Sequence, residues 1–118
     1  MVVRQGEIYW ADLGTPQASE PCYHRPVVIV HGNTFNRSRL ATTVVCLLTS
    51  VLDRAKSPEN VVLNPGECHL PKQSVVLISQ LYTIDKTQLE EHIGTLSRNH
   101  INQILDGLRM LTEMDDVG

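Results

Sequence analysis

Two short stretches carry residue types suited to phosphate chemistry. The first is Arg25-Pro26, at the head of the apolar run 27–31; the second is Thr49-Ser50, at the tail of the run 42–49. A guanidinium is always charged and offers a fork of donors that matches a phosphate. Pro26 fixes its own φ and biases Arg25 toward extended backbone, which limits where the guanidinium can point. If the two runs are consecutive antiparallel strands, the start of one lies beside the end of the other. Arg25 and Thr49 then meet at one rim, beneath residues 12–24. A forked cation and a hydroxyl under a covering loop form a phosphate pocket. The competing reading is a solvated arginine at a strand end and a hydroxyl that merely caps a turn. His24 titrates near neutral pH and is a candidate acid/base. Strand alternation points it to the side opposite Arg25. His31, His69, His92 and His100 read as ordinary surface or edge residues.

Other chemistries lack their signatures. The chain holds no HExxH, no GxSxG, no Walker loop and no carboxylate cluster of metal-binding spacing. Cys22, Cys46 and Cys68 match no common zinc pattern, and an odd number without CxxC spacing reads as reduced, partly buried thiols. No metal or cofactor is expected.

These residues need a scaffold of short strands. Residues 7–11, EIYWA, form a first strand, bounded by Gly6 and Asp12. Residues 12–24 contain Gly14, Pro16 and Pro21 and form a loop, long enough to suggest function. Residues 27–31 form a second strand, whose continuous apolar run Val27 to Val30 suggests burial on both faces. A connector at 32–41 has room for one helical turn. Residues 42–49 give a third strand, 61–63 a short one, 74–83 the longest, and 93–96 a last one after a turn at Asp85-Lys86. Ser97 is a good N-cap, and Ile101, Ile104, Leu105, Leu108 and Leu111 follow at helical spacing. This stripe predicts a terminal helix packed on the sheet, with Asn102, Asp106, Arg109 and Glu113 on other faces. Gly107 weakens that helix by roughly 1 kcal/mol relative to alanine, so packing must hold it. The expected fold is mainly β (α+β): a small bent sheet or partly open barrel of five to seven short strands with a C-terminal helix.

The 118 residues fit one domain, 1–118, and 42% hydrophobic content supports a modest core. The net charge of −3 argues against a broad basic surface for duplex DNA. The charge is uneven, with eight Lys/Arg against seven Asp/Glu in residues 1–86 and two against six in residues 87–118. A near-neutral body can therefore carry a local cationic groove. No apolar run reaches membrane-spanning length and the N-terminus has no signal-peptide pattern, so a soluble cytoplasmic protein is expected.

Several blocks, taken together and in order, resemble the MazF/PemK/Kid family of bacterial toxins. They are RQGEIYWADL at the N-terminus, SE and RPVVIV within 19–30, LLTS at 47–50, LPKQSVVLISQLYTIDK at 70–86 and IGTLS at 93–97. The resemblance implies an SH3-like/PemK-type barrel, a homodimer, and metal-independent cleavage of single-stranded RNA at short sequences. It implies a cognate MazE-like antitoxin that covers the RNA groove, with DNA contacted only through the antitoxin complex. The family's catalytic arginine falls on Arg25 and its catalytic threonine on Thr49. The implied reaction is attack of a ribose 2′-OH on the adjacent phosphorus, leaving a 2′,3′-cyclic phosphate and a 5′-OH. Arg25 would stabilise charge on the phosphoryl oxygens and could shuttle a proton if the pocket assists, since a free arginine is a poor base, and Thr49 would hold a phosphate oxygen or orient the 2′-OH. Ser19, Glu20, His24, Ser50, Gln80 and Tyr82 make up the expected RNA-contacting set. Glu20 could instead hold Arg25, and Gln80 could belong to core or groove.

The chain also departs from the family pattern. SEPCYHRP lacks the glycines common before the arginine. Tyr82 stands where many relatives carry arginine and supplies an aromatic able to stack on a base. Leu77 and Ser79 occupy positions where some members place an acid/base pair, and Asp85 reads as a turn former. The alternative within the fold is a non-enzymatic toxin acting on a protein such as DNA gyrase. Its C-terminal tryptophan is missing here, since the only Trp is Trp10.

Overall fold

The structure, a computed structural model, describes residues 2–14 and 24–114. Ser19, Glu20 and Cys22 lie outside the described residues.

The strands are β1 (Glu7–Asp12), β2 (His24–Ile29), β3 (Thr42–Thr49), β4 (Val61–Val62), β5 (Val75–Asp85) and β6 (Leu89–Thr95). The helices are α1 (Asn33–Asn36) and α2 (Arg98–Thr112). The strands form one antiparallel sheet in the order β4-β5-β3-β2-β1-β6. This curled six-stranded sheet with its terminal helix is the half-barrel expected from the pattern of short strands.

The sheet is apolar on both faces. Ile8, Val28, Cys46, Leu48, Val76 and Ile78 belong to one cluster, covered by Ile104 with Ile101 and Leu108 of α2. Tyr9, Ala11, Val27, Ile29, Val45 and Leu47 alternate with these along the same strands and belong to a second cluster, completed by Val3, Ile84 and Leu89. Two-sided burial explains why the runs in β2 and β3 are continuously apolar rather than alternating.

Strand two begins three residues earlier than expected, at His24, and ends at Ile29. Proline is no boundary here, because Pro26 pairs with Trp10 on the β1 side while the β2–β3 ladder begins only at Val27. The missing N–H falls where β3 does not need it. The last strand starts at Leu89, earlier than the expected 93–96, because two register shifts against β1 erase its alternation. Asp85 does form a turn: its backbone N–H donates to Gln88 Oε1 at 2.8 Å in the 3₁₀ turn 86–88.

The expected helical stripe is corrected on one side. Ser97 does cap α2, its Oγ accepting from the His100 N–H at 3.2 Å, and Ile104 is buried. Leu105 and Leu111 are exposed, however, while His100 and Gly107 face the sheet. Two contacts set this rotation. Nδ1 of His100 pairs with Oε2 of Glu67 at 2.8 Å, so this histidine is not the surface residue expected. A Cβ on Gly107 would collide with the Glu59 carbonyl oxygen and lie 3.0 Å from Ile78 Cγ1. Glycine stands mid-helix because the helix backbone touches its neighbours there.

Candidate active site

Arg25 sits one residue inside β2 and is half-buried. Its Nη2 donates to the Leu48 carbonyl oxygen at 2.8 Å, so the guanidinium is fastened to the backbone of β3. The β2–β3 ladder pairs Val27 with Leu47. Continuing that register sets Arg25 opposite Thr49, the juxtaposition that antiparallel pairing predicts. Thr49 Oγ1 accepts from the Val51 N–H at 3.2 Å. The turn-capping reading of this hydroxyl is therefore correct and compatible with chemistry, because its O–H remains free to donate.

Both side chains line a cavity of about 250 Å³ at the sheet end, with Ser50, Trp10 and His24 on its rim. At roughly 30 Å³ per water, that is the space of about eight waters. Its far wall is Leu70, Pro71 and Lys72. Ser74 shapes this wall by donating from Oγ to the Lys72 carbonyl at 2.9 Å. The preceding turn, 67–69, is seated on β6 at Gly94, where an added Cβ would stand 2.9 Å from Cys68 Cβ. Among the described residues, the lining thus holds two fixed cations, one imidazole and three hydroxyls, and no carboxylate. A chain of net charge −3 carries a locally cationic pocket suited to a phosphodiester.

By strand alternation His24 leaves β2 on the face opposite Arg25, yet at the strand's end both line the same cavity. Its ring stacks on Trp10 with centroids 5.1 Å apart and planes 13° from parallel, and its Nε2 bonds Glu90 Oε1 on β6. Gln80 and Tyr82 lie elsewhere. Between the pairs Cys46↔Leu81 and Leu47↔Leu77, β5 inserts Ile78, Ser79 and Gln80. This bulge separates Gln80 and Tyr82 from the cavity; they bond one another, Tyr82 Oη to Gln80 Oε1, at 3.3 Å. Tyr82 is 45% exposed.

Sequence reasoning passed over Lys72 and Glu90. Lys72 joins the pocket through a turn with two left-handed residues, Cys68 and His69 at φ 55°, which no local pattern announces. Another cavity, of about 290 Å³, is lined by Val2, Val3, Arg4, Asn33 and Arg37; it has cations but neither a hydroxyl nor a group that titrates near neutrality. Among the described residues no group of three or more His, Cys, Asp or Glu is placed to hold a metal ion, and no helix is long and apolar enough to cross a membrane.

Fold and pocket together define a small β half-barrel with a cationic, hydroxyl-lined cavity at one end of its sheet. Residues 4–112 match the family described as PemK-like, MazF-like toxin of type II toxin–antitoxin systems, and the chain belongs to that family. It is 37% identical over 114 residues to Endoribonuclease MazF2 of Mycobacterium bovis and to Endoribonuclease MazF6 of Mycobacterium tuberculosis, covering 97% of this chain and 100% of each relative. Among solved structures, an endoribonuclease in complex with its cognate antitoxin from a mycobacterial species matches with a TM-score of 0.78 at 24% identity, covering 96% of this chain and 97% of that one. A MazE–MazF complex from Deinococcus radiodurans matches with a TM-score of 0.74 at 25% identity, covering 98% and 99%.

Proposed function

We propose that this chain is an endoribonuclease toxin that cuts single-stranded RNA without a metal ion and is neutralised by a cognate antitoxin. The observation that carries the reading is the pairing of Arg25 and Thr49 in one cationic cavity, in a chain 37% identical over its length to proteins named endoribonucleases. The gyrase-directed alternative is not favoured, because those relatives are named for RNA cleavage.

The geometry supports a division of labour. Arg25, held by Leu48, presents its remaining N–H groups to the phosphoryl oxygens and stabilises the charge that develops there. Because it is already fastened, little reorganisation accompanies the reaction. The Thr49 O–H donates to a further phosphate oxygen or orients the 2′-OH. Lys72 and Ser50 hold the substrate backbone. The 2′-oxygen forms a bond to phosphorus as the bond to the 5′-oxygen breaks, leaving a 2′,3′-cyclic phosphate and a 5′-OH. Ser19, Glu20, Gln80 and Tyr82 are further proposed RNA contacts, with exposed Tyr82 as a stacking platform.

The antitoxin is of the MazE kind, consistent with the MazE–MazF complex among the matched structures. A homodimer in the cytoplasm completes the reading, with DNA met only through the antitoxin complex. Exposed Leu81 offers apolar surface for pairing of two copies.

The test is incubation with single-stranded RNA in EDTA, beside Arg25→Ala and Thr49→Ala. Expected are endonucleolytic cuts with cyclic-phosphate ends, strongly reduced in both variants. Intact RNA, or cutting that requires added metal, refutes the mechanism. A 2′-deoxyribose at the cleavage position should block the cut.

A further inference from the structure

Cleavage through a 2′-OH needs a group to take its proton, and neither fixed cation in the cavity is suited to that. A guanidinium and an ammonium offer donors and no acceptor. Among the described lining residues, His24 is the one imidazole, and a neutral imidazole carries a lone pair able to accept a proton.

Its setting is that of a held base. Nε2 bonds the Glu90 carboxylate, which as an acceptor fixes the N–H on that nitrogen. The lone pair of the neutral ring is then on Nδ1. Trp10 stacks on one face of the ring and limits its rotation. The imidazole is thus fixed in tautomer and in plane, the arrangement in which a carboxylate makes a histidine an effective base. The charged groups around it are Glu90 from β6, Asp12 at the paired position on β1, Arg25 beside it on β2 and Lys72 across the cavity.

We propose that His24 is the general base of the cleavage step and that Glu90 is its positioning residue, an inference that rests on the ribonuclease reading above. The 2′-O–H proton passes to Nδ1 as the O2′–P bond forms. The P–O5′ bond breaks, the 5′-oxygen takes a proton from water, and the imidazolium returns its proton to solvent. Arg25 and Thr49 hold the phosphoryl oxygens throughout.

The test is single-turnover cleavage of an RNA oligonucleotide by the full chain across about pH 5 to 9, spanning imidazole titration. The wild-type rate should climb with pH through the imidazole range and then level. His24→Ala should lose about 10²- to 10⁴-fold together with that acidic limb, and free imidazole should restore part of the rate. His24→Gln keeps a planar donor between Trp10 and Glu90, so its loss of the same limb separates base chemistry from folding. Glu90→Ala should cost roughly 10- to 100-fold while keeping the limb, as removal of an orienting partner does elsewhere. A His24→Ala or His24→Gln rate within about threefold of wild type, or an unchanged acidic limb in either variant, overturns the proposal. If the wild type leaves RNA intact, both this proposal and the ribonuclease reading fall. If it cuts and Arg25→Ala does not while both His24 variants do, only the base assignment falls.

Discussion

Replacing Arg25 with lysine keeps the charge and removes the fork, which separates the two things the guanidinium is asked to do. Arginine has five N–H donors, and one is spent on the Leu48 carbonyl. Four remain, enough for a two-point grip on a phosphate. Lysine has three donors on one nitrogen, so keeping the Leu48 bond leaves it no planar pair. Loss of one donor aimed at developing charge costs about 10²–10³ in kcat, or roughly 2.7–4 kcal/mol. Arg25→Lys should therefore lose about 100-fold in kcat. Lys72 lies in the same cavity, exposed and without the backbone anchor. It acts as a point charge on the ground state, so Lys72→Ala should raise KM several-fold and leave kcat nearly unchanged. Salt dependence reports the same partition. Single strands give a slope of about −0.7 per neutralised phosphate, so two cations give about −1.4. Raising salt from about 50 to 200 mM should weaken RNA binding about sevenfold in the wild type and about threefold in Lys72→Ala. The assay is cleavage of a fluorogenic RNA in EDTA, with KM and kcat separated and binding read on a 2′-deoxy analogue. An Arg25→Lys enzyme within about threefold of wild type, or a Lys72→Ala loss that falls on kcat, would refute the division of roles.

Three further outcomes follow from packing and burial. Gly107→Ala gains roughly 1 kcal/mol of helix propensity but forces a methyl against the Glu59 carbonyl and Ile78. Overpacking of this kind costs about 1–3 kcal/mol, a net loss of up to roughly 2 kcal/mol, so a fall in Tm of up to roughly 10 °C is expected, and a higher Tm would contradict the close approach. Burial pushes the Cys46 thiol up to about 12, so a thiol reagent at mildly alkaline pH should leave Cys46 unlabelled in the folded protein and label it after denaturation, as read by peptide mass. Burial, then the neighbouring Glu7 carboxylate, raises the Tyr9 phenol from 10.0 to about 12. A folded-state value above the unfolded one gives stability that is fully present below about pH 10 and lost as pH climbs toward 12. Denaturant midpoints should fall over that window in the wild type and fall less in Tyr9→Phe.

Much of the scaffold was readable because its signals are local. The run 42–49 has a continuous apolar centre, Val44 to Leu48, flanked by threonines, and β3 occupies those same residues. The cap at Ser97 is read from a single hydroxyl preceding an apolar stripe, and the Arg25–Thr49 juxtaposition follows from pairing consecutive strands. What escaped depends on tertiary context. Pro26 marks a strand end only if both neighbours need its N–H, and β3 has not begun pairing there. The buried side of α2 is chosen by Glu67 reaching His100 and by the Glu59 backbone, so helical spacing alone placed Leu105 and Leu111 inward when they are exposed. Lys72 comes to the cavity from a left-handed turn, and Glu90 reaches His24 from a strand whose two register shifts hide its alternation. Neither leaves a local trace.

The place of β6 in the sheet has a consequence for synthesis. β1 is the first strand made, yet its outer edge pairs with the last strand, residues 89–95. The same late strand carries Glu90, which holds His24, and Gly94, which seats the turn before Lys72. Contacts of such sequence separation form late, because the intervening chain must be ordered before they repay its entropy. A nascent chain that has emerged only through β5 has an unpaired first strand and an unsupported cavity wall. The order of translation therefore withholds a finished site until residues 89–95 are outside the ribosome, and a product truncated before residue 89 would lack both the His24 partner and the seat of the cavity wall.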